Sequence, residues 1–581
     1  MAGHIITLFM WGYQEYYRIH VQVLVRNVLE KIGAPAEAEV LLVGARSPSS
    51  KNINSVCIEP EKGKWELSLF EGLLDSIEFN YQNHHLQNMF FNDAPSMQDK
   101  PEWMRRSSVQ TSISKALEAF DTKNNVTSFC GEARRINDYY VTPVIQIPNS
   151  TFVQFPPLPP KPVNDAQVRH GFRSLIHAAV YTVLDEATEE LHKPEPGRYT
   201  YDRMRDAEEI VRIAAKNFLH TAGLAIQQHY MYPNFFDTLN LVSSLMYEGV
   251  KGIGQLILVD PDNDAVEFLA RFAEPVPFNE PRWVRKVLQM ATTGVGVIAN
   301  SRHIYGLGRL NEQHDAGAQN AFNVAFIDHY HWELHCGNHA LIRSHYAVPK
   351  LPQEPFDKMS FLAHYKRLFS SSTLEEGMNM WSLLSTQSRQ EHGSMIVVAE
   401  DAASESQRLS KQGTCIEPTR LTELLLRSAS GIDGTILLDP SGLCHAIGII
   451  LDGEATEQCT PSRGSRYNSG VRYVQSNGPR RLAIVVSDDR TIDIIPRVRS
   501  LVSRSKIERH IATLEAASIE NYHDSRNWLD DHRFYINEDQ VARINSAISR
   551  LDAAPREDFV LHFATSLFEV NPEMEDSYLT D

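Results

Sequence analysis

Two proline-rich joints limit what this chain can fold into. "FPPLPPKPVND" at 155–165 carries five prolines within residues 155–162, and "VPKLPQEPFDK" at 348–358 carries three. Proline fixes φ and has no backbone N–H, so neither stretch can run through a helix or a central strand, and each reads as a stiff spacer. A PxxP-type docking peptide is the other reading of the first joint; the spacer is preferred. The chain has 581 residues, more than one hydrophobic core usually supports. Separate bodies follow: an N-terminal α/β domain (1–154), a linker (155–165), a central domain (166–347), a second linker (348–359), a third domain (360–510) and a helical C-terminal region (511–581).

Hydrophobic periodicity fills in these bodies. "QEYYRIHVQVLVRNVLEK" (14–31) has helical apolar spacing, and "AEVLLVGAR" after it reads as a buried strand. Long helical patterns occupy 166–191 and 202–228, and strand signals such as "GQLILVD", "GVGVIAN" and "HALIRSHYAV" follow. Beyond residue 360, strands alternate with crossover helices. The expected fold class is therefore α/β and multidomain, the third domain having a central mixed β-sheet flanked by helices.

Composition excludes several functions. The formal net charge is −17, which opposes non-specific binding to nucleic acid or to anionic lipid. Six scattered cysteines with no CxxC read as reduced thiols, and no stretch approaches the apolar length of a membrane helix. The N-terminal apolar run lacks a basic flank and a cleavage site, so the expectation is a cytoplasmic protein with no membrane and no clear nucleic-acid partner.

Most motif candidates are weak. There is no GxxxxGK[ST], and "GIG" (252–254) and "GLG" (306–308) lack the third glycine of a dinucleotide loop. "DHYHWELHCGNH" (328–339) places His329, His331 and His335 on one strand face with His339 nearby. A strand rises about 3.3 Å per residue, so one strand cannot close a tetrahedral site. A hydrogen-bonded strand is the preferred reading, and a metal or ligand site the alternative.

The third domain is richer. "GIDGTILLDPSG" (431–442) sets Asp433 and Gly434 at a strand entry, and "RGSRYNSGVRYV" (463–474) puts glycine, a hydroxyl and arginine at a helix start, where unpaired amides attract anions. "IVVSDDR" (484–490) ends a strand with Ser487, Asp488 and Asp489, which could supply a carboxylate to a divalent cation. Between 461 and 506 ten Lys or Arg face three acids, a local reversal of the chain's sign.

The ordered blocks "HGSMIVVAE", "IDGTILLDPSGLCHAIGIILDG", "PSRGSRYNSGVRYV" and "LAIVVSDDRTIDIIP" resemble the diadenylate cyclase domain family, which includes the DNA-integrity-scanning proteins, over about residues 360–510. The resemblance implies condensation of two ATP into cyclic di-AMP and two pyrophosphates, at a face-to-face dimer of cyclase domains. It implies Mg2+ or Mn2+ on Asp433 and Asp489, with Asp433 and Arg466 as catalytic residues. Contacts to ATP are implied for Gly434, Thr435, Arg463, Gly464, Ser465, Arg466, Tyr467, Asn468 and Ser487, and Ile450 and Leu451 for the adenine wall. Thr435 stands where the family has alanine, and Tyr467 and Asn468 replace its common His-Arg; Arg463 and Arg472 could make up that charge. These departures keep open a catalytically inactive, nucleotide- or cyclic-dinucleotide-binding regulator. "GVKGIGQLILVDPDND", "VRKVLQMA" and "IYGLGRL" resemble, more faintly, a sensor region upstream of some family members. "GIGQLILVDP" (252–261) also echoes "GIDGTILLDP" (431–440), read here as coincidence rather than a degenerate copy of the cyclase fold.

Overall fold

The computed structural model describes residues 7–159, 172–198, 204–226, 234–292, 294–311, 314–315, 319–337, 339–352, 358–388, 393–456, 459–460, 464–476, 478–487, 492–518, 521–553, 566–571 and 573–580. The chain forms two compact units, 1–353 and 354–581.

The first unit opens with α1 (Gln14–Lys31), β1 (Glu39–Arg46), β2 (Val56–Glu59), α2 (Leu73–Gln82), α3 (Ala94–Asn124), β3 (Val126–Cys130), β4 (Arg134–Ile136), β5 (Tyr139–Pro148) and α4 (Ser150–Gln154). The sheet is antiparallel, in the order β2-β1-β5-β3 with β4 also on β5. The unbroken apolar run of β1 follows from burial on both faces. Val40 and Leu42 point into a core with α1, while Leu41, Val43 and Ala45 point into a second core with α3. In α1, Tyr17, Val21, Val25 and Val28 recur at helical spacing and are fully buried, each apolar side chain contributing about 1.5–3 kcal/mol.

Next come α5 (Leu175–Glu190), α6 (Ala207–Ile226), α7 (Phe235–Ser244), β6 (Gly254–Val259), β7 (Val266–Pro277), α8 (Pro281–Leu288), β8 (Gly296–Ala299), β9 (His303–Leu310), β10 (Ala321–Asp328), β11 (His331–Cys336), β12 (His339–His345) and β13 (Val348–Lys350). α5 and α6 lie within the helices expected over 166–191 and 202–228 and start later than residues 172 and 204, while residues 166–171, 202–203 and 227–228 fall outside the described residues. The eight strands order as β13-β12-β11-β10-β6-β8-β9-β7. One face, carrying Leu256, Leu258, Val297, Val324, Trp332 and Leu334, joins the core with the helices. Trp332 is completely buried there and its indole N–H donates to Asn240 Oδ1 at 2.8 Å.

The second unit contains α9 (Lys358–Leu368), α10 (Leu374–Gln387), β14 (Ser394–Ala399), α11 (Ala402–Arg408), β15 (Thr414–Arg420), α12 (Glu423–Ala429), β16 (Thr435–Leu438), β17 (Leu443–Ile449), α13 (Ser465–Gln475), β18 (Arg481–Val486) and β19 (Ile492–Ile495). The mixed sheet has the order β15-β17-β16-β14-β18-β19, with β14 parallel to β16 and the other pairs antiparallel. Alternation divides each strand between two cores: Ile396, Val398 and Ile436 face α9, α10 and α12, whereas Met395, Val397 and Leu437 face α11 and α13. The chain closes with β20 (Val502–Ser503), α14 (Arg504–Ala516), α15 (His523–Asp531), α16 (Glu538–Asp552) and β21 (Leu579–Thr580), around a core of their own.

The two larger sheets share one plan. In the central sheet β6 is parallel to β8, β8 continues antiparallel to β9 and β7, and on the other side β6 pairs with β10 and β10 with β11. Replacing β6, β7, β8, β9, β10 and β11 by β14, β15, β16, β17, β18 and β19 reproduces the order and every direction in the second unit. This corrects the sequence reading of the "GIGQLILVDP" echo in one respect. β6 and β16 are indeed not counterparts, because β6 occupies the place of β14; the counterpart of "GTILLDPSGLCHAIG" is instead "GVIANSRHIYGLG" in β8 and β9. The two sheets nevertheless repeat the same fold.

Candidate functional site

Topology brings the sequence motifs of the second unit to one end of its sheet. Parallel β14 and β16 begin at this end, and antiparallel β17 and β18 finish there, with Thr435 opposite Ile449 and Ser394 opposite Val486. Asp433 and Gly434 form the turn that enters β16. Gly434 adopts φ +113°, and a Cβ on it would lie 2.5 Å from the carbonyl carbon of Gly448 on the neighbouring strand. Glycine is therefore required for both conformation and space.

The Asp433 carboxylate is held at the surface, its side chain 94% exposed. Its Oδ1 accepts from the Gly434 amide at 3.1 Å and lies 3.5 Å from an Arg466 guanidinium nitrogen. Arg466 belongs to the first turn of α13, whose N-cap is Gly464 and which has no side-chain cap; the positive end of the helix dipole lies here. Ser465 is exposed on the same turn. Helix α13 is seated by Gly470, whose missing side chain lets it approach Met395, Ala483 and Ile495.

Other predicted residues divide. Ile450 is 65% exposed and forms a free apolar wall, whereas Leu451 is 8% exposed and belongs to the core beneath α13. Thr435 is fully buried, so its side chain is closed to solvent. Ser487 follows β18, half-buried. Asn468 uses its amide on the preceding loop, accepting from Thr460 N and donating to Thr460 O, both at 3.0 Å. Tyr467 packs against the core. Arg463 and Asp489 lie outside the described residues. The local excess of basic residues is partly structural: Arg480 donates to the Arg367 carbonyl, Arg504 pairs with Asp576, and Arg481 is buried.

Arg481 belongs to a polar network that sequence reasoning missed. It lies 3.0 Å from Asp401 and 3.4 Å from Glu405, its guanidinium stacks over the Tyr473 ring, and it donates to the Tyr473 carbonyl at the far end of α13. The Tyr473 hydroxyl donates to Glu405 at 2.7 Å, and Arg408 clamps Glu405 to Asp452. The Arg408 hydrogen bonds lower both the Glu405 and Asp452 pKa values. Only the Glu405/Arg408 spacing was a local signal; the remaining partners are distant in sequence.

The histidine-rich stretch of the first unit is organised by a carboxylate. Glu333 Oε2 lies 3.1 Å from His335 Nε2, and its Oε1 accepts from Arg343 at 2.6 Å, with Arg343 directly opposite on β12. Burial opposes the charged form of Glu333, yet the hydrogen bonds and charges of His335 and Arg343 outweigh it and bring its pKa to about 2. Among the described residues no group of three His, Cys, Asp or Glu is placed to hold a metal. Because the folded-state pKa is depressed, this cluster contributes stability above about pH 4.5 that is lost as the pH falls towards 2. Thermal unfolding of the chain, followed from about pH 6 to about pH 3, should show a falling Tm for the first unit, with a flatter dependence in Arg343→Met.

All six cysteines are free thiols, and among the described residues no helix is long and apolar enough to cross a membrane. Comparison with known proteins adds family context to the first unit. Several solved structures align with part of the chain. One is DacA from Staphylococcus aureus, a double cysteine mutant, at 14% identity over 21% of this chain and 80% of that one, TM-score 0.18. Another is described as a hypothetical membrane spanning protein from Bacillus cereus, at 21% identity over 24% of this chain and 67% of that one, TM-score 0.20. No curated protein matches the chain. Residues 10–219 match the family described as "Probable sensor domain DACNG", and residues 233–338 match "Probable sensor domain DACNH", sensor domains of the N-terminal regions of diadenylate cyclases.

Proposed function

We propose that the second unit is a diadenylate cyclase domain that joins two ATP molecules into cyclic di-AMP, regulated by the sensor domains upstream. One observation carries the reading: Asp433, on a strand entry that only glycine at 434 permits, stands 3.5 Å from Arg466 on the uncapped first turn of α13. A surface carboxylate beside an anion-attracting helix start is what a metal–triphosphate needs. Hard carboxylate oxygen suits Mg2+ or Mn2+, and Asp433 together with Asp489 would hold the ion, which neutralises charge on the phosphates.

In this reading Arg466 and Ser465 at the start of α13 bind the triphosphate, and Arg466 stabilises charge on the departing pyrophosphate. The exposed Ile450 offers an apolar wall to adenine. Each domain presents one ATP, so two copies face one another in a homo-oligomer. The 3′-oxygen of each nucleotide attacks the α-phosphorus of the other, the new P–O bond forming as the bond to pyrophosphate breaks and the hydroxyl proton leaves to solvent. Incubating the full chain with ATP and Mn2+ should yield cyclic di-AMP and pyrophosphate by mass spectrometry.

A second reading has specific support. Tyr467 and Asn468 are occupied by the core and by Thr460, so neither contributes charge to the phosphate loop. An inactive, nucleotide-binding regulator would have these features. ATP binding with no product in the same assay would select it.

A further inference from the structure

The repeated plan of the two large sheets allows residue-by-residue comparison across units. Strand register equates Gly254–Val259 with Ser394–Ala399, Gly296 with Thr435, and Ala321 with Arg481. The hairpins after β8 and β16 agree in detail. Asn300 Oδ1 accepts from the amides two and three residues on, and its side chain bonds Tyr305; Asp439 Oδ1 accepts from the Ser441 and Leu443 amides, and its side chain bonds His445. The sheets are two copies of one fold.

They differ on one face. In the second unit, residues 400–413 contain α11 and residues 450–480 contain α13, and both helices cover Met395, Val397 and Ala483. In the central sheet the corresponding connections are only 260–265 and 311–320, with no helix among their described residues. The space is a cavity of about 290 Å³ lined by Gln255, Ile257, Gly296, Arg309, His314 and Asn323, among others. Gln255 stands in the place of Met395 and Asn323 in the place of Ala483, so two apolar positions under a helix have become amides facing an open cavity. Asn323 Oδ1 is buried with no partner in the structure. Gly294 stands in the place of Asp433, so the carboxylate on which the proposed catalysis depends is missing.

From these features we infer that the central sheet is a non-catalytic copy of the cyclase-type fold whose face carrying Gln255 and Asn323 binds a nucleoside monophosphate. Its lining contains no carboxylate and has a histidine, His314, and a cation, Arg309, which pairs with Glu267 at 2.9 Å through its Nε and would turn its terminal nitrogens to a phosphate. Two amides, each both donor and acceptor, suit the edge of a base, and Ile257 and Leu310 offer apolar surface to its ring. Glycine at 296 makes room for the Ile257 side chain on the cavity floor, since a Cβ there would meet it at 2.8 Å. This inference stands on the central cavity and the repeated topology, and holds whether or not the second unit is catalytic.

The test is calorimetric titration of the full chain carrying Asp433→Asn and Arg466→Ala, which silences the second unit, with AMP, GMP, CMP, UMP, adenosine and inorganic phosphate. At least one monophosphate should bind with about one site per chain, and more tightly than phosphate or adenosine. Gln255→Met with Asn323→Ala restores the residues found at these positions in the other copy, and should weaken binding at least about ten-fold. Arg309→Gln, on an exposed side chain, should reduce the monophosphate to the affinity of its nucleoside. Circular dichroism and thermal unfolding check that each variant is folded. The inference is overturned if no monophosphate binds at millimolar concentration, if phosphate or adenosine alone binds as tightly, or if the folded Gln255/Asn323 variant binds unchanged.

Discussion

Asp433→Asn should reduce cyclic di-AMP formation by at least about a thousand-fold, while leaving the Tm of the chain unchanged. The separation of the two effects follows from the side chain's position. Asp433 is almost wholly exposed, its carboxylate meets the Gly434 amide and the Arg466 guanidinium among the described residues, and it fills no core. Asparagine keeps the shape and the amide contact but lacks the charge needed for a divalent ion. Product formation measured by mass spectrometry, beside thermal unfolding of the same preparation, is the check. Near-normal product from a folded Asp433→Asn protein would remove the cyclase assignment.

Gly434→Ala should do the opposite and damage the fold first. The residue adopts φ +113°, and the added Cβ would lie 2.5 Å from one backbone atom of Gly448 and 2.7 Å from another. Neither neighbour is the flexible end of a side chain, so strand β16 or β17 has to shift. Loss of about 3 kcal/mol or more is expected. For a unit of this size that corresponds to roughly 6–12 °C in Tm, with activity lost alongside. Gly431→Ala, three residues away, is the control: its Cβ would find only the Ser428 carbonyl, at 3.8 Å, and its stability should be nearly unchanged.

How much was legible in the sequence depended on whether a feature is local. The α/β character, the strands "SMIVVAE" and "LAIVVSDD" and the helix at "YNSGVRYVQS" were readable because burial imposes period two or 3.6 on consecutive residues. Asp433 and Arg466 were readable as motif members, and the contact between them joins residues more than thirty apart. The network of Glu405, Tyr473 and Arg481 left no pattern, since its members come from a helix, another helix and a strand. The repeat was hidden for a different reason. Sequence likeness drew β6 towards β16, because buried strands favour the same Ile, Leu and Val, whereas only strand order and register show that β6 matches β14. Asn468 misled because an amide in a phosphate-binding motif looks available until the Thr460 main chain is seen to occupy it.

The network at the far end of α13 makes ionic strength a diagnostic. Arg481 is 6% exposed and Glu405 6%, so dissolved salt scarcely reaches the charges that fix this end of the helix. At the other end Asp433 stands in solvent with Arg466 partly exposed beside it, and a Debye length of about 8 Å at physiological salt screens the pair. Raising the salt concentration therefore weakens the approach of a charged nucleotide to the site without loosening the helix that presents it. A rate that falls with salt at constant Tm reports on encounter with substrate, and a falling Tm reports on something else in the chain.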